Sequence, residues 1–183
     1  MKTSNKISVE AYAPKKEDII IFDTNILIDI FYPINFNRSS SAYEKLYAKL
    51  LKNHNKLCLS SIQISEFINR GIRFQFQMYA GEEKLNFKKD YRPTQEYRDS
   101  MNGILDIVKA DIVTKFSFID DGFSKMDTKN IFRYGFSYDF NDALIAEITR
   151  NQNAYLVTND IDYANYSSEI KLITNNKQLL KIL

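Results

Sequence analysis

The run Ile19-Ile20-Ile21-Phe22, which passes directly into Asp23-Thr24-Asn25, constrains the fold of this chain more than any other stretch. Four apolar residues, most of them β-branched, with no polar alternation describe a strand buried on both faces, as in the interior of a parallel sheet. Asp23 then stands at the C-terminal tip of that strand. In open α/β sheets this edge is where loops and helix N-termini converge and where ligands bind. A carboxylate there has an ordinary role, accepting hydrogen bonds from the backbone of the helix that follows, and a chemical one. The rest of the chain must separate the two.

Strand and helix signals alternate along the remaining sequence. A short helix through Phe31 is broken by Pro33, and Ser39, Ser40 or Ser41 then caps a helix whose stripe is Tyr43, Leu46, Tyr47, Leu50 and Leu51. Asn53-His54-Asn55 ends it. A second strand is expected over Leu57 to Ser60, followed by a helix from Ser61 to about Tyr79 that buries Ile64, Phe67, Ile68 and Ile72. Thr94 caps a helix through Tyr97, Met101, Ile104, Leu105 and Val108. A third strand is read over Ile112 to Ile119, and a turn at Asp120-Asp121-Gly122 precedes a short helix capped by Ser124 and ended by Gly135. Asp139 caps the next helix, Ala154 to Val157 form a fourth strand, Ile170 to Ile173 a last one, and Lys177 to Leu183 a closing segment. This order predicts an α/β three-layer sandwich around a central, mainly parallel sheet. A single domain spans 1–183, with residues 1–18 as a polar lead-in and 81–110 as an elaboration of the domain.

Several function classes are excluded by what the chain lacks. The sole cysteine, Cys58, lies in an apolar run and reads as core. The sole histidine, His54, sits in a polar turn and reads as solvated, which leaves no Ser/His/Asp set and no zinc spacing. There is no Gly-rich phosphate loop. No run approaches the ~18 apolar residues of a membrane span and no signal-peptide core is present, so a cytoplasmic protein is expected. A net charge of +2 does not announce a nucleic-acid binder. Charge is nevertheless concentrated in the stretch 81–92, where Lys84, Lys88, Lys89 and Arg92 interleave with Leu85, Phe87 and Tyr91; such a stretch can hold single-stranded nucleic acid by charge and stacking, or simply face solvent.

The chemistry lies in the acids. Asp23 and Asp160 are placed at strand tips, Glu66 in the helix leaving the second strand, and Asp142 in the first turn of the helix entering the fourth. Each has a local explanation: Glu66 as a near-N-terminal anion, Asp139 as an N-cap with Asp142 three residues on in a capping-box-like pattern. Together they are harder to dismiss, because parallel strands put their tips along one edge and no basic residue is fixed among the acids by the sequence. Clustered carboxylates repel, and a cation usually offsets that. All-oxygen ligands select a hard ion, Mg²⁺ or Mn²⁺. Two such ions ~3.5–4 Å apart activate water and stabilise the leaving oxygen in phosphodiester hydrolysis.

Phe22-Asp23-Thr24-Asn25, Ile64-Ser65-Glu66-Phe67, Asp142-Ala143-Leu144-Ile145-Ala146 and Val157-Thr158-Asn159-Asp160 resemble, in order, the four acidic motifs of PIN-domain nucleases, with the VapC-type toxin ribonucleases nearest in form. The resemblance runs from Ile19 to Ile173. It implies a Mg²⁺- or Mn²⁺-dependent ribonuclease of PIN-like α/β/α fold, with Asp23, Glu66, Asp142 and Asp160 as metal-binding acids, Thr158 positioning water or phosphate, and Asn25 holding the first loop. It further implies an RNA substrate, with a cognate antitoxin and a second copy of the chain as candidate partners. Asp139 competes with Asp142, and Asp162 with Asp160; motif register favours Asp142 and Asp160. Two alternatives remain. A strand ending in Asp, a second ending in Ser60-Ser61 and a later Asp120-Asp121 pair resemble haloacid-dehalogenase-like phosphatases, although Asn25 stands where that family's second acid is expected. A PIN scaffold without catalysis, binding RNA or protein, is the other.

Overall fold

The computed structural model describes residues 5–32, 41–132, 139–166 and 169–181. Expectations that fall on Pro33, Ser39, Ser40 and Gly135 lie outside those residues. Among the described residues six strands, β1 (Lys6–Ser8), β2 (Ile19–Phe22), β3 (Lys56–Leu59), β4 (Ser117–Phe118), β5 (Tyr155–Val157) and β6 (Lys171–Thr174), form one sheet in the order β1-β6-β5-β2-β3-β4, with every pairing parallel. The uninterrupted apolar run behaves as its pattern requires: Ile20 and Phe22 pack into one core, and Ile21, with Cys58, Leu156 and Leu172, into the core on the opposite face.

The helices divide between these faces. On the first lie α1 (Thr24–Phe31), α2 (Ala42–Lys52), α3 (Ser61–Ala80) and α4 (Gln95–Ile107). On the second are α5 (Thr128–Ile131), α6 (Phe140–Asn151) and α7 (Lys177–Lys181). Ser41 caps α2 with a reciprocal bond to Glu44, and Thr94 caps α4. His54 follows α2 with φ of 57°, the left-handed conformation that ends helices, and is exposed as expected. Seven buried residues in succession, Ala143 to Thr149, place α6 deep against the sheet.

Three expectations are corrected. Residues 1–18 are not all lead-in, because Lys6–Ser8 pairs in parallel with β6 at the sheet edge. Polar composition hid this strand, since an edge strand need not be apolar on both faces. The third strand is only Ser117–Phe118; the apolar residues before it continue α4 as a turn of π-helix over Val108–Ile112, with Val108 and Ile112 buried in the first core. A short apolar run does not distinguish strand from buried helix. The helix expected from Ser124 is instead a 3₁₀ turn, Phe123–Lys125, followed by α5 with Asp127 as its cap.

The segment between α3 and α4 is integral to the first core. A π-turn, Phe87–Tyr91, buries Tyr91 completely among Phe76, Phe87 and Tyr97, while Arg73 covers the Phe87 ring at 4.0 Å. Gly71 permits the close approach of the two helices: a Cβ there would lie 3.2 Å from Ile104 Cδ1.

Candidate functional site

Strand order locates the site before any side chain is considered. From β2 the chain moves outward to β3 and β4, then returns to place β5 on the other side of β2. Connections leave β2 and β5 in opposite directions, which opens a crevice at their C-terminal tips. Asp23 follows β2, and Thr158-Asn159-Asp160 follows β5.

Asp23 is the N-cap residue of α1, yet its side chain makes no capping hydrogen bond. Its Oδ2 instead accepts from the Thr158 hydroxyl at 2.7 Å, and Thr158 Oγ1 in turn accepts from the Asp160 backbone N–H at 3.0 Å. One buried threonine therefore couples the two acidic tips. Thr158 is fully buried and its hydroxyl is committed on both sides, so it holds the acids rather than facing water or phosphate. Asp160 Oδ1 accepts from the Asp162 N–H at 3.0 Å and starts the 3₁₀ turn Ile161–Tyr166.

Glu66 is brought in by the start of α3. Gln63, fully buried, accepts from the Ser60 N–H (2.9 Å) and hydroxyl (2.8 Å) and donates to the Phe22 carbonyl, tying the helix to the tip of β2. Glu66 Oε2 then accepts from the Thr24 hydroxyl at 2.9 Å. Its Oε1 meets Arg70 Nη1 at 3.6 Å, one turn further along α3. A cation therefore does stand beside the acids, a contact that helical i,i+4 spacing could have suggested.

Asp139 caps α6 through bonds from the Asn141 and Asp142 N–H groups at 2.7 and 3.4 Å. Cap formation accounts for Asp139, whereas Asp142 is turned toward the crevice. Burial, with the charges of Asp23, Asp139 and Asp160, pushes the Asp142 carboxyl up to about 8. Burial pushes Asp23 up to about 7, a rise the Thr158 hydroxyl partly offsets and the charges of Glu66 and Asp160 reinforce. Asp162 contributes to neither. Below these acids lies Tyr163, fully buried, its hydroxyl facing Asp142 without closing a hydrogen bond; burial holds its acidity far below normal. Sequence reasoning missed Tyr163, whose only signal is its position one turn beyond Asp160.

Other expected residues are elsewhere or differently engaged. Asn25 Oδ1 is buried with no hydrogen-bond partner, so it does not hold the first loop through that atom. Ser60 is spent on Gln63, and Asp120-Asp121 follow β4, two strands from β2 and hence ~10 Å away. This separates Asp120-Asp121 from Asp23, unlike the grouping a phosphatase would need. Lys84, Lys88, Lys89 and Arg92 are all exposed, but they lie beyond the far end of α3, ~20 Å along the helix from Glu66. Of their aromatic neighbours, Tyr91 is turned fully into the core and half-buried Phe87 is covered by Arg73.

The donor set suits a hard cation in a particular way. Its oxygens carry surplus negative charge, and burial, with neighbouring carboxylates, drives two of its carboxyls toward protonation. Among the described residues, no three acidic side chains are grouped closely enough to form a ready-made cage. Mg²⁺ does not require one: it typically takes one or two carboxylates, keeps several waters and completes its shell with substrate phosphate.

Fold and crevice together define an α/β protein with an all-parallel six-stranded sheet and a PIN-like three-layer architecture. No family model matches the chain, and no curated protein matches its sequence. Solved structures do match. One is a chain of the crystal structure of VapBC2 from Rickettsia felis bound to a DNA fragment from their promoter, at 22% identity and a TM-score of 0.51, covering 85% of this chain and 98% of the other. That likeness is one of fold.

Proposed function

We propose that this chain is a Mg²⁺- or Mn²⁺-dependent endoribonuclease that hydrolyses RNA phosphodiester bonds, and that it is the toxin of a type II toxin–antitoxin pair. What supports this reading is the placement of Asp23 and Asp160 at adjacent strand tips, joined through Thr158, at the switch point of a parallel sheet, with Asp142 and Glu66 near enough to act on them electrostatically. Asp23, Glu66, Asp142 and Asp160 would hold the cation, which when bound supplies an activated water and stabilisation of the departing oxygen. Thr158 fixes the rotamer of Asp23 and the backbone of Asp160; Thr24 holds Glu66, whose other oxygen faces Arg70. Tyr163 closes the floor of the crevice and excludes water beneath Asp142.

The toxin reading rests on the ordered motifs and on the fold shared with a chain of VapBC2. An antitoxin encoded beside this chain, and a homodimer of it, belong to the same proposal. No described helix is long and apolar enough to cross a membrane. The test is incubation of purified protein with unstructured and structured RNA in Mg²⁺, Mn²⁺ or EDTA. Cleavage should require the metal and vanish in Asp23→Asn. Activity that survives both EDTA and Asp23→Asn sinks the proposal. Hydrolysis of a small phosphomonoester, dependent on Asp23 but not on Glu66 or Asp160, points to the phosphatase instead.

A further inference from the structure

A groove of about 420 Å³ opens between α1 and α3, starting about one helical turn beyond Glu66. Ile28 and Tyr32 of α1 form one wall, and Arg70, Arg73, Phe74 and Gln77 of α3 the other. This volume lies in the range of small-molecule sites, ~300–1,000 Å³.

Among the described residues two arginines line the groove and no carboxylate does. Glu66, Arg70, Arg73 and Gln77 stand at steps of four, three and four along α3, the spacing that sets side chains on one helical stripe. That stripe starts at an acid of the candidate site and then turns cationic, since α3 carries Arg70 and Arg73 and no acid from Phe67 to Ala80. The stretch 33–40, which follows Tyr32 in sequence, holds Arg38 and no acid either. Both lining arginines are exposed and both are anchored. Arg70 Nη1 stands 3.6 Å from Glu66 Oε1, with half of its side chain open to solvent. Arg73 lies over the Phe87 ring at 4.0 Å, a contact that fixes the guanidinium without neutralising it. Phe87 belongs to the stretch of exposed Lys84, Lys88, Lys89 and Arg92, so Arg73 stands between those cations and the acids. That stretch is of mixed sign, with Glu82, Glu83 and Asp90 in it. Aromatic surface completes the groove: Tyr32 and Phe74 meet edge to face at 6.1 Å, and neither is fully buried.

We propose that this groove holds the backbone of single-stranded RNA beside the scissile bond, with Arg70 and Arg73 each contacting a phosphate. The inference rests on the ribonuclease reading above for the nature of the ligand, and it adds where the strand lies. A planar guanidinium pairs with phosphate oxygens through parallel N–H donors, and its charge survives the ring contact that Arg73 makes. Rings set beside cations suit an unpaired strand, because each nucleotide brings an apolar base face for Tyr32 or Phe74 and an anion for the arginines. Along the helix Arg70 and Arg73 stand ~6 and ~10 Å from Glu66, so a strand in the groove runs directly into the acidic crevice.

Fluorescence anisotropy of a short, labelled single-stranded RNA tests this in EDTA, where binding is read without cleavage. Arg70→Gln/Arg73→Gln should bind at least ~10-fold more weakly than wild type and flatten the slope of log K against log salt by ~1.4, two phosphate contacts at ~0.7 each. Lys52→Gln/Lys56→Gln removes the same charge at the entrance to β3, the far end of the strands from the acids, and should keep the wild-type slope. Gln77→Glu leaves both arginines and the Phe87 contact in place; it should weaken binding at least ~3-fold by setting a carboxylate in the groove. Equal losses in the arginine and lysine pairs, an unchanged slope in the arginine pair, or wild-type binding by Gln77→Glu overturns the inference. An arginine pair that keeps its RNA affinity but no longer binds a hexaglutamate peptide overturns it in favour of an acidic protein partner. Metal-dependent cleavage with no dependence on the groove overturns the inference and leaves the ribonuclease reading standing. Groove-dependent RNA binding by a protein that cleaves no RNA upholds the groove and removes that reading.

Discussion

Replacing Asp142 by Asn separates a reactive carboxyl from a helix-start anion, because the two roles predict opposite signs. Asp142 is half-buried and stands among Asp23, Asp139 and Asp160, which with burial raises its carboxyl from 3.8 to about 8. A folded-state value above the unfolded one means that the folded protein binds the proton more tightly, so the group's contribution is fully present below about pH 4 and is lost as pH rises through 8. Over that window one such group lowers stability by ~1.4 kcal/mol per pH unit at most, a ceiling of ~5–6 kcal/mol that partial solvation reduces to ~2–3 kcal/mol. Asn keeps the shape and an accepting oxygen and cannot ionise. Denaturant melts in EDTA at several pH values should therefore show wild type and Asp142→Asn nearly equal near pH 4. The variant should become the more stable by ~2–3 kcal/mol at pH 8–9. Added Mg²⁺ should restore wild type and leave the variant largely unmoved, since ligand binding stabilises only the state that binds. RNA cleavage should be abolished. If Asp142 serves only the α6 dipole, the variant loses ~0.3–1 kcal/mol where the wild-type carboxyl is ionised and keeps its activity, and the reasoning fails.

Other consequences are equally open to measurement. Thr158→Val removes the hydroxyl that joins Asp23 to Asp160, and should cost ~1–3 kcal/mol in melts and lower kcat at least ~10-fold, since both acids lose their anchor. Arg70→Gln should change stability by under ~1 kcal/mol, the usual worth of an exposed pair, yet tighten Mg²⁺ binding in calorimetry because Glu66 loses its competing cation. Alanine at Lys84, Lys88, Lys89 and Arg92 together should leave the melt unchanged and reduce the salt dependence of RNA binding uniformly across sequences; an unaltered salt slope would make the stretch a solvated face. His54→Gly should raise stability by ~1 kcal/mol in the same melts, by relieving a side chain held at φ of 57°.

How far this was legible in the sequence depended on whether local pattern or long-range placement decided the outcome. Ile19 to Phe22 could only be a doubly buried strand, because nothing in it tolerates water, and the caps Ser41, Thr94 and Asp139 mark helix starts since their side chains satisfy amides within a few residues. The acids were recognisable at strand tips and helix starts for the same reason. Local pattern could not show that Lys6–Ser8 belongs to the sheet, since its pairing partner lies more than 160 residues away in β6. Nor could it separate strand from helix around Val108–Ile112, where the chain continues α4 helically with Val108 and Ile112 buried in the first core. Only the tertiary structure placed Thr158 between Asp23 and Asp160, put Tyr163 beneath Asp142, and turned Phe87 and Tyr91 inward from the basic stretch. Composition and spacing record which groups a segment carries; whether those groups meet water, a carboxylate or a neighbouring ring is decided by strand order. Here β5 returns beside β2, and that one placement brings the Asp23 and Asp160 strand tips to a single edge.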